Sequence, residues 1–276
     1  MLFVLPFDHR ATFAKELLAL PYPRLSPAQK KTVSDYKRVV WEGFLKTRTK
    51  LSDPEELAIL VDEEFGAYIL KDATRKKISF ALSVEKSGQQ LFDFEYGKNF
   101  GAHITKWKPT YAKALVRYNV ANKKDNQTQN RRLKILSSFC QKHGVGFMLE
   151  LLMTGTGPRF KQLKQTIQEM VAARISPTVW KVEGMDTVSQ WNQLRAFTDA
   201  RIIVLGRGDT KKHVEKFLTV AAKSGTVQGF AVGRTVFMKP LTEYRDKKIA
   251  RQTAVDRIAK NYLHFINLWE RSNPNT

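Results

Sequence analysis

Pro177-Thr-Val-Trp-Lys-Val-Glu-Gly-Met185 is the stretch on which the reading of this chain turns. It is short and apolar and is bounded by turn residues, the pattern of a buried strand. Residues two apart on a strand share a face, so Lys181 and Glu183 point one way while Trp180 and Val182 point the other. Burying an ammonium costs far more than burying its carbon stem recovers, so Lys181 is expected to be either paired or neutral at neutral pH. A neutral amine is a nucleophile toward ketones. A buried Lys-Glu ion pair is the plainer alternative, because structural pairs perturb pKa values as catalytic ones do.

Working outward, similar short apolar runs alternate with amphipathic helical patterns along the chain, which predicts parallel strands joined by crossover helices. Eight strands are expected: Leu2 to Asp8, Leu57 to Asp62, Ile78 to Glu85, Ala112 to Asn119, Val145 to Leu152, Val179 to Glu183, Ile202 to Gly206 and Gly229 to Gly233. Ser26-Pro27 reads as a cap and first turn for a helix to Thr47. Helices over Asn126 to His143 and Lys211 to Ser224 stop at Gly144 and Gly225, and Lys247 to Glu270 reads as a closing helix. No Ser/Gly/Pro-rich linker divides the sequence. The expected architecture is α/β, one (β/α)8 TIM barrel spanning residues 1 to 276, a size typical of that fold.

Polar residues fall at the carboxyl ends of these strands, where barrel enzymes place their active sites: Asp8, Asp62, Glu85, Asn119, Glu150, Lys181, Glu183, Gly206 and Gly233. On the fourth strand Lys113, Arg117 and Asn119 share one face and Ala114, Val116 and Tyr118 the other. An amine nucleophile needs a depressed pKa, which desolvation and nearby cations such as Lys113 and Arg117 supply. Glu150 is a candidate proton shuttle and Asp8 a second carboxylate at the same end. Val204-Leu-Gly-Arg-Gly-Asp209 and Phe230-Ala-Val-Gly-Arg234 end the seventh and eighth strands, where backbone N–H groups and a helix start often hold phosphate. Gly206, Arg207, Gly208, Gly233 and Arg234 are therefore expected around a phosphate, with Arg234 adding a charge-assisted contact.

Apolar residues make up 42% of the 276 and charged residues 26%, which excludes wholesale disorder. Leu2-Phe-Val-Leu-Pro6 lacks the basic flank of a targeting segment, and no run approaches membrane-spanning length. One cysteine, Cys140, in a helical pattern, fits a buried thiol and a reducing cytoplasm. The net charge of +21 invites a nucleic-acid partner, yet the basic residues fall in separate clusters without a zinc spacing or a basic-aromatic repeat. Solvated helix faces account for it more simply.

Taken in order, Leu5-Pro-Phe-Asp-His-Arg10, Ile59-Leu-Val-Asp-Glu-Glu-Phe-Gly66, Val84-Glu-Lys-Ser-Gly88, Ala112-Lys-Ala-Leu-Val-Arg-Tyr-Asn119, Phe147-Met-Leu-Glu150, Trp180-Lys-Val-Glu183 and Gly229-Phe-Ala-Val-Gly-Arg234 resemble the DUF2090 family. They also resemble the class I, Schiff-base aldolases of the tagatose-1,6-bisphosphate aldolase type. The resemblance implies a lysine imine on Lys181, proton handling by Glu150, and substrate contacts from Asp8 and Lys113. Arg10, Arg117 and Glu183 join the expected substrate contacts, and Gly206, Gly208, Gly233 and Arg234 the phosphate site. The chain departs from the tagatose pattern at His9, where glutamine is expected, and at Arg117-Tyr-Asn119, where Tyr-Tyr-Asp is more usual. These departures bear on the sugar rather than on the imine.

The expected activity is metal-independent and cofactor-free cleavage of a phosphorylated keto sugar or sugar acid. The family association points to 5-dehydro-2-deoxy-6-phosphogluconate, giving dihydroxyacetone phosphate and malonate semialdehyde. Tagatose or fructose 1,6-bisphosphate is the alternative substrate, and a non-catalytic basic barrel with an acidic partner the alternative of another class. A zinc mechanism needs clustered histidines, and His9, His103, His143, His213 and His264 show no metal-ligand spacing. A homo-oligomer is compatible with all of this; a membrane partner is not expected.

Overall fold

A computed structural model describes residues 1–275, in which eight parallel strands close into a barrel in chain order. The strands are β1 (Leu2–Pro6), β2 (Leu57–Val61), β3 (Ser79–Ser83), β4 (Tyr111–Tyr118), β5 (Gly146–Met153), β6 (Val179–Glu183), β7 (Arg201–Leu205) and β8 (Gly229–Ala231). Pairing of β1 with β8 as well as with β2 leaves no open edge. Strand alternation divides the core in two. Leu2, Val4, Ala58, Leu60, Ala81, Met148, Val179, Ile203 and Ala231 pack inside the barrel, while Trp180, Val182, Phe147, Leu149 and Ala114 belong to the larger layer beneath the helices.

The crossovers are α1 (Pro27–Arg48), α2 (Glu63–Arg75), α3 (Phe100–Trp107), α4 (Lys123–His143), α5 (Arg159–Ala172), α6 (Val188–Arg195) and α7 (Lys211–Lys223), and after β8 come α8 (Arg234–Arg245) and α9 (Arg251–Ser272). Ser26 caps α1 in a full capping box with Gln29. Gly144 ends α4 in the left-handed conformation. Two boundaries differ from expectation. α4 starts three residues earlier than Asn126, because the Asn122 side chain accepts from Asp125 N. α9 starts at Arg251 rather than Lys247, whose φ of 57° belongs to the turn after α8. Cys140 is buried, and burial pushes its thiol up to about 12. No helix among the described residues is long and apolar enough to cross a membrane.

Candidate active site

Register brings the first pair together. Glu150 and Lys181 are Cα partners across β5 and β6, and alternation turns both side chains into the barrel. Lys181 Nζ donates to Glu150 Oε2 at 2.9 Å. Lys113 on β4 reaches the same oxygen at 2.9 Å, and also meets Asp8 Oδ2 at 2.9 Å and Glu85 Oε1 at 2.6 Å. Two ammoniums therefore face three carboxylates just inside the mouth, with Lys113 and Lys181 almost wholly buried.

The field of this cluster decides its protonation. Burial alone pushes the Asp8 carboxyl up, but Lys113, with His9 and Lys181 behind it, holds it well below the usual range. Glu150 feels the same opposition of burial against Lys113 and Lys181, and comes down to about 2. Burial pulls the Lys113 ammonium down while Asp8, Glu150 and Glu85 together carry it well above its ordinary value. All three groups are charged at neutral pH.

Lys181 and Glu150 open onto a cavity of about 300 Å³ that also touches His9, Gly206, Arg207, Gly208, Gly233 and Arg234. Gly233 caps α8, so that helix aims its free N–H groups toward this mouth. A Cβ on Gly233 would lie 2.1 Å from the Pro6 carbonyl, which keeps β1 and β8 close at this rim. Arg207 and Gly208 are both left-handed, with φ of 50° and 76°, and a Cβ on Gly208 would sit 2.5 Å from the Arg234 guanidinium carbon. Arg234 donates to the Arg207 carbonyl, which ties the two turns into one cradle. A second lobe of about 230 Å³ shares His9, Arg117 and Glu150 and adds Asp8, Arg10, Lys86 and Lys113.

Several expected residues lie elsewhere or are already engaged. Glu183 does not pair with Lys181. One carboxylate oxygen takes the Arg207 guanidinium and the other accepts from Met153 N at 3.0 Å, so Glu183 belongs to a neighbouring cleft with Arg159 and Arg207. Arg207 thus turns its charge away from the cradle. Arg10 binds Glu95 Oε2 and the Glu85 carbonyl, each at 2.5 Å, and so anchors the segment after β3 over the mouth. Arg117 is exposed and donates to the Gln89 carbonyl at 3.2 Å. Asn119 turns the chain into α4, its Oδ1 accepting from Ala121 N at 3.1 Å. Asp62 does not face the cavity with Asp8; its side chain caps α2 at Phe65 N and pairs with Lys37.

The buried Lys37, paired with Asp62 outside the cavity, is not anticipated by the sequence. Its signal was its position in α1 among Val33, Val40, Trp41 and Phe44, on the stripe that packs inward. Among the described residues, no group of three or more His, Cys, Asp or Glu side chains is placed to hold a metal ion.

The closed eight-stranded parallel sheet with alternating helices is a (β/α)8 barrel. Its architecture matches that of Cgl0159 from Corynebacterium glutamicum, with a TM-score of 0.61 at 16% identity over 95% of this chain and 85% of that one. An archaeal fructose 1,6-bisphosphate aldolase gives a TM-score of 0.61 at 9% identity, covering 95% of this chain and 94% of that one. A Schiff-base-forming fructose-1,6-bisphosphate aldolase gives 0.60 at 10% identity, over 97% and 93%. At such identities the likeness is one of fold. No curated protein matches the chain. The chain belongs to the family DUF2090, described as an uncharacterized protein conserved in bacteria, which matches residues 1–273.

Proposed function

We propose that this chain is a class I aldolase that forms an imine between Lys181 and the ketone of a phosphorylated sugar or sugar acid. The observation that carries the reading is Lys181 Nζ on Glu150 Oε2, a buried pair that opens onto the cavity formed by the Gly206–Gly208 and Gly233–Arg234 turns. Lys181 attacks the ketone carbon as its spare proton leaves through Glu150. Lys181 helps to hold Glu150 acidic, so once that ammonium becomes an amine the carboxylate gains proton affinity when it is needed. Water leaves the carbinolamine and the iminium forms. It then takes up the electron pair of the breaking carbon–carbon bond, an aldehyde departs, and the enamine is reprotonated and hydrolysed.

Lys113 is suited to fixing Asp8, Glu85 and Glu150, not to the nucleophilic role, since three carboxylates hold it charged. The α8 start and Arg234 suit a phosphate. Arg117 and Lys86 at the second lobe suit a carboxylate at the other end, which supports a phosphorylated sugar acid. We take 5-dehydro-2-deoxy-6-phosphogluconate as the best-fitting substrate. The test is a coupled assay for dihydroxyacetone phosphate released from this compound and from tagatose and fructose 1,6-bisphosphates. Release from the sugar acid at the highest kcat/KM is expected; faster release from either bisphosphate would replace the substrate, and release from none would remove the assignment.

A further inference from the structure

Bond cleavage requires a base for the substrate's β-hydroxyl, and the carboxylates of the mouth are poorly placed to be that base. Lys113 bonds to one oxygen each of Asp8, Glu85 and Glu150, and that ammonium still holds all three carboxylates after Lys181 has become the iminium. His9 is different. It lines both lobes of the cavity, beside Glu150 and between the Lys181 and Arg234 charges. Its Nδ1 is covered and makes no hydrogen bond, lying 3.7 Å from Asp8 Oδ1, beyond hydrogen-bonding distance but within reach of that charge. The side chain is 29% exposed, and with Nδ1 covered, the accessible ring nitrogen is Nε2. Phe237 stands edge-on to the ring at 6.4 Å and limits its tilt.

We infer that His9 is the general base of carbon–carbon cleavage, accepting the β-hydroxyl proton of the imine-bound substrate at Nε2. The inference rests on the Schiff-base reading of Lys181. The Asp8 carboxylate favours the tautomer with hydrogen on Nδ1, which leaves the Nε2 lone pair toward the cavity. Burial, with Arg234 and Lys181 against Asp8 and Glu150, brings the imidazole down to about 4, so it waits neutral and unprotonated. In the step, the O–H proton moves to Nε2 and the O–H electron pair becomes the carbonyl π bond. The Cα–Cβ bond breaks, and its pair enters the iminium to give an enamine. The imidazolium then returns the proton to the enamine carbon, and water releases the ketone product from Lys181.

The experiment compares the wild-type chain with His9→Gln and His9→Asn, whose amides keep polarity but cannot take a proton. Each is mixed with the same ketose phosphate, reduced with borohydride and weighed intact, and turnover is measured in parallel. The expected result is a turnover loss of roughly 10²–10⁴-fold, the range for a lost general base. The variants should still trap substrate on the protein, now as an adduct with the mass of the uncleaved sugar. That trapping itself reports a folded chain with a working Lys181. Turnover within about threefold of wild type would overturn the inference, as would parallel loss of trapping and turnover, which marks a binding role. No adduct on wild type with any ketose phosphate would remove the aldolase reading and this inference with it; a normal wild-type adduct with fully active His9 variants would remove this inference alone.

Discussion

Two buried lysine–carboxylate groups lie on opposite sides of the barrel wall, and their surroundings move the lysines in opposite directions. Outside it, the wholly buried Lys37 binds Asp62 and the Phe7 carbonyl at 2.7 Å, with the rings of Phe13 and Phe65 5.0 and 5.7 Å away. Inside it, Lys113 and Lys181 share Glu150, and Lys113 also holds Asp8 and Glu85. Burial pulls the Lys37 ammonium down, and Asp62, helped by the charge of Asp8, does not make up the loss. Three carboxylates carry Lys113 well up despite the same burial. A buried ion pair is therefore not in itself a sign of function. The inner group differs in having more partners than its charges require and in opening onto a cavity of about 300 Å³.

The sharpest break between the two groups is expected from their lysines. Lys181→Arg should reduce turnover to the uncatalysed background while leaving Tm nearly unchanged, because a guanidinium keeps the charge but forms no imine. Lys37→Met should do the reverse. It leaves Asp62 buried without its cation, at a cost of roughly 3–5 kcal/mol in denaturant unfolding, with kcat per folded molecule retained. Adding Asp62→Asn should recover part of that stability, since asparagine still caps α2. If Lys37→Met lost turnover while staying fully folded, the division into structural and chemical pairs would collapse.

Glu150→Gln comes next. Turnover should fall by roughly 10²–10⁴-fold, with a smaller stability loss than Lys37→Met, because Lys113 keeps Asp8 and Glu85. A variant that is strongly destabilised but fully active would make Glu150 a structural partner.

Acid should also separate the regions. Glu150 ionises at about 2 in the folded chain against an ordinary value of 4.5, so its contribution to stability is fully present above the ordinary value. It is lost as pH falls through about 2, and Asp8, also held low, adds to the same loss. Unfolding of wild type and Glu150→Gln between pH 5 and pH 2 should show a steeper decline for wild type; equal slopes would contradict the charged cluster.

The smallest effect separates the two arginines of the cradle. Arg234→Ala should weaken phosphorylated substrates far more than their dephosphorylated analogues, by roughly 1.5–3 kcal/mol. Arg207→Ala should discriminate less, because that guanidinium is turned to Glu183. Discrimination by Arg207→Ala alone would make the turn after β7 the anchor.

The fold was legible because the barrel writes itself locally. Each strand is a short apolar run, and all eight were found with ends displaced by only a few residues. Helix limits such as Ser26 and Gly144 were legible because capping is chemistry within one turn. The partner of Lys181 was not. Glu183 shares its face, but residues two apart along a strand are roughly 6–7 Å apart, whereas neighbouring strands lie only about 4.8 Å apart. The partner was therefore set by the β5–β6 register, which no single strand contains. Lys37 escaped for a related reason. A lysine among Val33, Val40, Trp41 and Phe44 can extend to solvent or turn inward, and only Asp62 at the start of α2 decides which. His9 was noticed as a departure in sequence, but its accessible nitrogen depends on how Asp8 and Phe237 surround the ring.

The central proposal is that Lys181, among the three buried lysines of the described residues, is the nucleophile. The direct measurement is borohydride reduction with a panel of ketose phosphates, followed by intact mass and peptide mapping. One adduct per chain is expected, on the peptide carrying Lys181 and absent from Lys181→Arg. An adduct on Lys113, Lys86 or Lys37 instead, or one that survives Lys181→Arg, would contradict the account.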